Sequence, residues 1–180
     1  KKITKKTKAI IVVSVFGQSP KMDLIKKIAN KHKIRIIEDN AESMFSTYNN
    51  KIIGHYGDIS SFSFENSKHL SCGEGGITIT NDKILAKKMR KFSNHGFIKL
   101  NSNSDSIKFR KEDLLDPDLK RHDEIGWNYR MPEFNAAIAL AQVERAEKLT
   151  KLRIQSANFF LQVIHKYPDF FIPQKTYKNS

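Results

Sequence analysis

The feature that most constrains this chain is a strand–helix–strand rhythm near its start. Residues 9–16 (AIIVVSVF) form a continuous apolar run rich in β-branched residues, which is typical of a strand buried on both faces. Residues 22–33 (MDLIKKIANKHK) place apolar residues at helical spacing, and residues 34–37 (IRII) give a second short strand. This order predicts a βαβ unit with a right-handed crossover, and therefore an α/β fold with a mostly parallel sheet flanked by helices.

The middle of the chain alternates between weakly patterned and strand-like segments. Residues 44–58 are punctuated by Gly and Asn and carry little periodicity, whereas residues 59–64 (ISSFSF) and 77–80 (ITIT) have strand character. Residues 99–122 are polar and rich in Ser, Asn, Asp and Lys. We therefore predict an exposed, lid-like loop there.

Two further helices are predicted. Asn81 and Asp82 have the chemistry of an N-cap before residues 82–92 (DKILAKKMRKF). The side of this helix predicted to be buried carries Ile84, Leu85, Met89 and Phe92. A second pattern starts at Pro132, a good first-turn residue, and predicts one long helix to about Tyr167.

Composition excludes several classes of protein. The chain has 180 residues, is 39% hydrophobic and has no apolar run near the roughly 18 residues of a membrane helix. Its formal net charge of +13 comes mostly from lysines spread along helices with acids between them, so we favour a solvated surface over a nucleic-acid site. The single cysteine, Cys72, excludes an internal disulfide and agrees with a reducing compartment such as the cytoplasm.

Candidate functional side chains follow the strand ends. Asp39 closes the second strand, Ser63 lies in the strand ISSFSF, and Lys68 follows five residues later, before a Gly-rich turn that contains Gly73. In open α/β sheets, ligands bind outside the carboxyl ends of the strands. A pyridoxal phosphate enzyme needs this set: a lysine for a Schiff base, a carboxylate for the pyridine nitrogen and hydroxyls for the phosphate. The spacing alone also arises by chance.

Longer stretches carry a family resemblance. The segments IIEDNAES, GHYGDISSFSFENSKHLSCGEGGITITND, KKMRKFSNHG and IGWNYRMPEFNAAIALAQVE occur in the family's order, within a match from about Thr4 to about Ser156. In these segments the chain resembles the DegT-type sugar aminotransferases, which belong to the fold-type-I pyridoxal phosphate-dependent transferases.

The resemblance implies a role for five residues. Lys68 is similar to the lysine that forms the Schiff base, Asp39 to the partner of the pyridinium nitrogen, and Ser63 to a serine that binds the cofactor phosphate. Asn128 resembles an asparagine that reaches that phosphate from the neighbouring subunit, which implies a homodimer. Glu42 stands where many members carry Gln beside the ring, although some nucleotide-sugar members resemble this chain in having Glu. Some relatives carry His in place of the lysine and catalyse dehydration, and Lys68 argues against that branch.

The resemblance also implies how the chain is organised. Residues 1–131 would be the C-terminal portion of the cofactor-binding large domain, and residues 132–180 a long helix leading towards a small domain. We expect a central fragment, because the family's Gly/Thr phosphate loop and stacking aromatic lie upstream of Lys1. The implied activity is transfer of an amino group, with glutamate as donor, to a nucleotide-linked keto-sugar in polysaccharide or amino-sugar biosynthesis. The implied cofactor is pyridoxal 5′-phosphate, with no metal.

Two alternatives stay open at this point. A truncated or inactive relative could keep the cofactor crevice and act as a ligand-binding or regulatory module. The basic charge also leaves room for a nucleic-acid-binding domain, which would show a steep salt dependence on DNA.

Overall fold

The computed structural model describes residues 2–97 and 110–176. The chain divides into two compact units, the first comprising Lys1–Ile79 and Glu133–Ser180 and the second comprising Thr80–Pro132. The first unit contains strands β1 (Ala9–Val13), β2 (Arg35–Asp39), β3 (Thr47–Tyr48), β4 (Lys51–Ile52), β5 (Ile59–Ser63) and β6 (Gly76–Ile79), and helices α1 (Met22–His32), α3 (Glu133–Glu144) and α4 (Ala146–Ile164). The second contains α2 (Lys83–Ser93) and a short 3-10 helix (Asp113–Leu115).

The main sheet has four strands in the order β1-β2-β5-β6. Strands β1, β2 and β5 are parallel, and β6 is antiparallel to β5. The first crossover, from β1 through α1 to β2, is the βαβ unit that the hydrophobic pattern indicates. The prediction of a mostly parallel α/β fold is therefore confirmed.

Helix α1 covers one face of this sheet. Its Met22 and Ala29 are buried against Val12 of β1 and Ile36 of β2. The opposite side of α1 carries its lysines, so hydrophobic burial sets how the helix lies on the sheet. The helix ends at His32, and the C-cap residue Lys33 adopts a left-handed conformation (φ 53°) and donates its backbone N–H to the helix carbonyls.

The other face of β1 is exposed, contrary to the prediction of a strand buried on both faces. Ile11 and Val13 are 67% and 53% exposed. They alternate with Ile10 and Val12, which face α1. The strand also ends three residues earlier than predicted, because Phe16 and Gly17 turn the backbone into the left-handed region (φ 52° and 75°).

A small hairpin occupies the segment that showed little periodicity. Strands β3 and β4 are antiparallel and joined by Asn49 and Asn50, both with positive φ (48° and 61°). Two central residues with positive φ are the requirement of a type I′ turn, for which Asn is well suited. The Asn-Asn pair was therefore a hairpin signal that the periodicity argument missed.

The long helix predicted from Pro132 to Tyr167 is wrong as a single helix, although the 19-residue α4 confirms a long helix in this region. The break is at Arg145. Its Nε donates to the Ala141 carbonyl at 3.3 Å, while its backbone N–H donates to Gln142 at 3.2 Å. In a continuous α-helix the backbone N–H of Arg145 would bond to the Ala141 carbonyl, so the side chain has replaced the main-chain donor.

Helix α2 of the second unit begins as predicted. The Asp82 carboxylate accepts the backbone N–H groups of Ile84 and Leu85, at 2.8 and 3.2 Å. The predicted buried side is not buried: Ile84 and Phe92 are exposed, and no residue of α2 is fully buried. Residues 99–109 of the predicted lid-like loop lie outside the described residues, and the described part, residues 110–122, is mostly exposed.

Candidate functional site

The carboxyl ends of the three parallel strands lie side by side in the first unit. Val13, Asp39 and Ser61 are register partners across β1, β2 and β5. Register partners face the same side of a sheet, and residues i and i+2 share a face, so Ser63 at the end of β5 lies on the same face as Asp39. The structure therefore brings two of the predicted side chains to one edge and one face of the sheet.

Asp39 is half-buried and retains acceptor capacity. Its Oδ1 accepts the backbone N–H of Ala41 at 3.2 Å. Within residues 2–97 and 110–176, its Oδ2 accepts no hydrogen bond. A half-buried carboxylate with an open oxygen at a strand end can accept a donor from a ligand.

A compact turn connects Ser63 to Lys68. The Ser63 Oγ accepts the Glu65 backbone N–H at 3.1 Å, and the Lys68 backbone N–H donates to the Glu65 carbonyl at 3.0 Å. Hydrogen bonds from the Ser67 hydroxyl and backbone lower the pKa of Glu65, and the nearby charge of Lys68 lowers it further. Lys68 is half-buried, and its amine forms no hydrogen bond or salt bridge within the described part of the chain.

The segment after Lys68 is folded back onto the sheet. Leu70 and Cys72 are buried. The Phe64 backbone closes the segment from both sides: its N–H donates to Gly75 at 2.9 Å, and its carbonyl accepts from Cys72 at 3.0 Å. The Gly-rich turn therefore returns the chain to β6 and holds the lysine segment against the end of β5.

Two side chains from the C-terminal helices also bind this segment. Asn135 of α3 donates its Nδ2 to the Cys72 and Glu74 carbonyls, at 2.8 and 3.0 Å. Arg153 of α4 donates to the His69 carbonyl at 3.3 Å. Partial desolvation lowers the pKa of His69, and the positive charge of Arg153 lowers it further. The sequence patterns did not single out Asn135 or Arg153, because a contact between residues so far apart in the chain leaves no local signal.

Glu42 lies in the turn that follows β2. Its side chain is exposed, and its backbone carbonyl accepts the N–H of Gly17 at 3.2 Å. Gly17 and Phe16 form the left-handed turn after β1. The structure thus places Glu42 at the same edge of the sheet as Asp39, through a contact between two strand-end turns.

Asn128 belongs to the second unit, in an exposed segment that forms an isolated bridge with Asn94. Its Oδ1 accepts the Nε–H of Arg130 at 2.9 Å. Because guanidinium nitrogens only donate, this bond fixes which end of the Asn128 amide faces Arg130. The Asn128 Nδ2 is the end left to donate elsewhere.

Glu38 is the buried residue that the sequence reasoning overlooked. It lies on the opposite face of β2 from Asp39 and is 1% exposed. Its carboxylate accepts bonds of 2.6–3.1 Å from the backbone N–H groups of Gly54, Tyr56 and Gly57 and from the Ser60 hydroxyl. A Cβ on Gly57 would lie 3.0 Å from the Ile36 carbonyl oxygen, a tight contact that favours glycine at this position. In the sequence, Gly54 and Gly57 just before ISSFSF were the signal that could have indicated this carboxylate-binding loop.

Residues 2–97 and 110–176 contain no group of three or more His, Cys, Asp or Glu side chains that could hold a metal ion. No helix in the described part of the chain combines the length and apolarity needed to cross a membrane.

The chain thus contains an α/β domain with candidate functional side chains at the carboxyl edge of a mostly parallel sheet, a fold that it shares with solved aminotransferases. The model of the DegT/DnrJ/EryC1/StrS aminotransferase family matches residues 1–180. The chain belongs to this family.

Individual relatives agree with this assignment. The chain is 37% identical over 164 residues to GDP-perosamine synthase of Escherichia coli O157:H7, covering 91% of this chain and 40% of that protein. It also resembles the structure of an aminotransferase from Psychrobacter cryohalolentis, with a TM-score of 0.79, 31% identity and coverage of 93% and 41% of the two chains. The chain spans about 40% of the length of the curated relatives that it matches.

A third relative was determined with its cofactor. The structure of E. coli GDP-4-keto-6-deoxy-D-mannose-3-dehydratase with bound hydrated PLP (pyridoxal 5′-phosphate) matches with a TM-score of 0.77 and 29% identity. The match covers 93% of this chain and 43% of that one.

Proposed function

We propose that this chain is the central part of a pyridoxal phosphate-dependent aminotransferase that acts on a nucleotide-linked keto-sugar. The observation that carries the proposal is the placement of Asp39 and Ser63 on one face at the strand ends, with Lys68 directly after them, in a chain of this family. Relatives named as GDP-perosamine synthase and as a UDP-linked altrosamine transaminase support a nucleotide-sugar substrate.

The donors and acceptors present fit this cofactor. The open Oδ2 of Asp39 can accept a hydrogen bond from a protonated pyridine nitrogen. The Ser63 Oγ already accepts the Glu65 N–H, so its hydroxyl hydrogen can be donated to a phosphate oxygen. Lys68 would hold the cofactor covalently, and no salt bridge in the described part of the chain competes for its amine.

The proposed chemistry divides among these residues. The bound cofactor supplies an electron sink for the charge that develops at the reacting carbon. Asp39 keeps the ring nitrogen protonated by offering a carboxylate as hydrogen-bond acceptor. Lys68 would take a proton from the α-carbon of the amino donor as general base and deliver it to the C4′ atom of the cofactor as general acid. In the second half of the reaction it would move a proton in the reverse direction, from C4′ to the sugar carbon that receives the amino group. Glutamate is the proposed donor.

The remaining roles are proposals for the complete protein. Asn128 donates its Nδ2 to the cofactor phosphate of a neighbouring subunit, which makes the enzyme a homodimer, and the bond from Arg130 supports this orientation of the amide. Glu42 lines the ring side of the site, as its position at the strand-end turns suggests. Residues 1–131 form part of the large domain and residues 132–180 lead towards a small domain. We place the enzyme in the cytoplasm.

Amino transfer by the complete protein tests the proposal. The protein is incubated with pyridoxal phosphate, glutamate carrying an isotopic label on its nitrogen, and either GDP-4-keto-6-deoxy-D-mannose or a UDP-linked 4-keto-6-deoxy sugar. We expect the label to appear in a nucleotide-linked amino sugar. Stable cofactor binding without transfer to either class of substrate would instead support a ligand-binding module.

A further inference from the structure

We propose that Asn135 is a positioning residue for Lys68, acting through the Gly-rich turn that follows the lysine. The inference rests on the proposed role of Lys68. Asn135 lies on α3, 67 positions further along the chain than Lys68 by their residue numbers. Its influence on the lysine is therefore a product of the tertiary fold.

The lysine segment lacks regular structure of its own. Residues 64–75 lie between β5 and β6 and contain no helix or strand. The Phe64 backbone closes the base of the segment through bonds to Cys72 and Gly75. A lysine in such a segment keeps a fixed direction only if other elements hold the loop.

Asn135 fixes the Gly-rich turn of this segment through a single nitrogen atom, Nδ2. Its Nδ2 lies 2.8 Å from the Cys72 carbonyl and 3.0 Å from the Glu74 carbonyl, so one amide group serves both sides of Gly73. Gly73 has a positive φ of 87°, and a Cβ there would lie 3.8 Å from the Asn135 Nδ2. The two N–H groups of an amide match the two converging carbonyls, whereas a carboxylate in the same place would offer only acceptors.

Arg153 binds the same segment closer to the lysine, since its guanidinium donates to the carbonyl of His69, the next residue after Lys68. Helices α3 and α4 therefore each contribute one donor to the lysine segment. Asn135 makes the shorter and more buried of these contacts, which makes it the residue to test.

The test compares Asn135→Asp with the control Asn158→Asp in the complete protein. Asn158 is exposed on α4, so N158D adds the same charge away from the turn. In cofactor-free protein we expect the backbone amides of residues 72–75 to exchange with solvent about tenfold faster in N135D and at the wild-type rate in N158D. Unchanged exchange in N135D would overturn the proposal.

A second readout separates positioning from mere stabilisation. With pyridoxal phosphate bound, the visible circular dichroism of the cofactor, normalised to its absorbance, reports how the lysine orients it. We expect a smaller signal in N135D, partial recovery in Asn135→Gln, which keeps the donors, and no change in N158D. Faster exchange combined with an unchanged signal would show that Asn135 only stabilises the turn and would overturn the positioning role.

The two proposals fail in distinguishable ways. If wild-type protein attaches the cofactor at a lysine other than Lys68, the proposed function fails, whatever the exchange data show. If wild-type protein uses Lys68 and N135D matches it in both readouts, only the inference about Asn135 fails. Should N135D not fold, Asn135→Ala removes the donors without adding charge and takes its place in the same comparison.

Discussion

Asp39 and Ser61 lie opposite each other in register, where the parallel strands β2 and β5 reach the edge of the sheet. This pairing places the carboxylate of Asp39 on the same face as Ser63, two residues further along β5. It also places the buried Glu38 and Ser60 together on the other face. One pair of strands thus separates a candidate ligand-binding face, which carries Asp39, from a structural face, which carries Glu38.

Replacing Asp39 by Asn should reduce amino transfer by about 100-fold, because the ring nitrogen loses the carboxylate that keeps it protonated. The measurement is the rate of labelled nitrogen transfer at saturating cofactor. The exposed Asp169→Asn serves as the charge-matched control and should keep the wild-type rate. Equal rates for D39N and D169N would remove Asp39 from the proposed mechanism.

Glu38→Gln should destabilise the first unit by about 3 kcal/mol, because an amide nitrogen would then face buried N–H donors that now share a carboxylate. Urea unfolding followed by circular dichroism measures the loss. Glu144 is exposed on α3, so Glu144→Gln is the matched control and should lie within about 0.5 kcal/mol of wild type. A similarly small effect for E38Q would show that the loop of residues 54–57 does not depend on this carboxylate.

Asp58 should make stability depend on acid pH. Burial alone raises the pKa of its carboxyl, but hydrogen bonds from the Ile36 backbone and from Arg35 outweigh burial, and the net pKa is lowered. A lowered pKa in the folded state stabilises the protein above the unfolded pKa of about 3.9 and loses that contribution as the pH falls below it.

The matching experiment is thermal unfolding at about pH 7 and about pH 3.5, which lies below that unfolded pKa. Wild type should lose more of its melting temperature between these pH values than Asp58→Asn, which has no charge to titrate. An equal loss in the two proteins would assign the acid sensitivity to other carboxylates, of which Asp23 is one candidate because a hydrogen bond from Tyr48 lowers its pKa.

Asp82→Ala should destabilise the second unit by about 1 kcal/mol, since the carboxylate caps two backbone N–H groups of α2. Asp82→Asn retains a side-chain oxygen and should lose less than half as much. Hydrogen exchange in the first turn of α2 locates the effect. Equal losses in both variants would mean that charge rather than the capping bond stabilises this helix end.

Local patterns predicted much of the fold. The βαβ unit, a strand at residues 77–80 and the cap at Asp82 follow from periodicity and turn chemistry that act over a few residues. The break at Arg145 was not predictable in the same way, because a side chain competes there with a backbone donor inside a continuous helical pattern. The exposure of one face of β1 was not predicted either. A run of apolar residues shows that both faces of a strand are apolar, but it does not show whether other elements cover both faces.

In the candidate site, too, some residues could be predicted from the sequence and others could not. Asp39, Ser63 and Lys68 could be selected from the sequence because ligand-binding residues collect at strand ends. The contacts of Asn135 and Arg153 depend on how α3 and α4 lie against the lysine segment, which only the three-dimensional structure gives. Asn128 lies in the other unit, and its role stays a prediction.

The most direct test of the central claim identifies the lysine that holds the cofactor. The complete protein is incubated with pyridoxal phosphate, reduced with borohydride and digested, and the modified peptide is sequenced by mass spectrometry. The account predicts a phosphopyridoxyl group on Lys68, and its loss in Lys68→Ala together with the visible absorbance of the bound cofactor. A stable adduct on a different lysine, or retained absorbance in K68A, would contradict it.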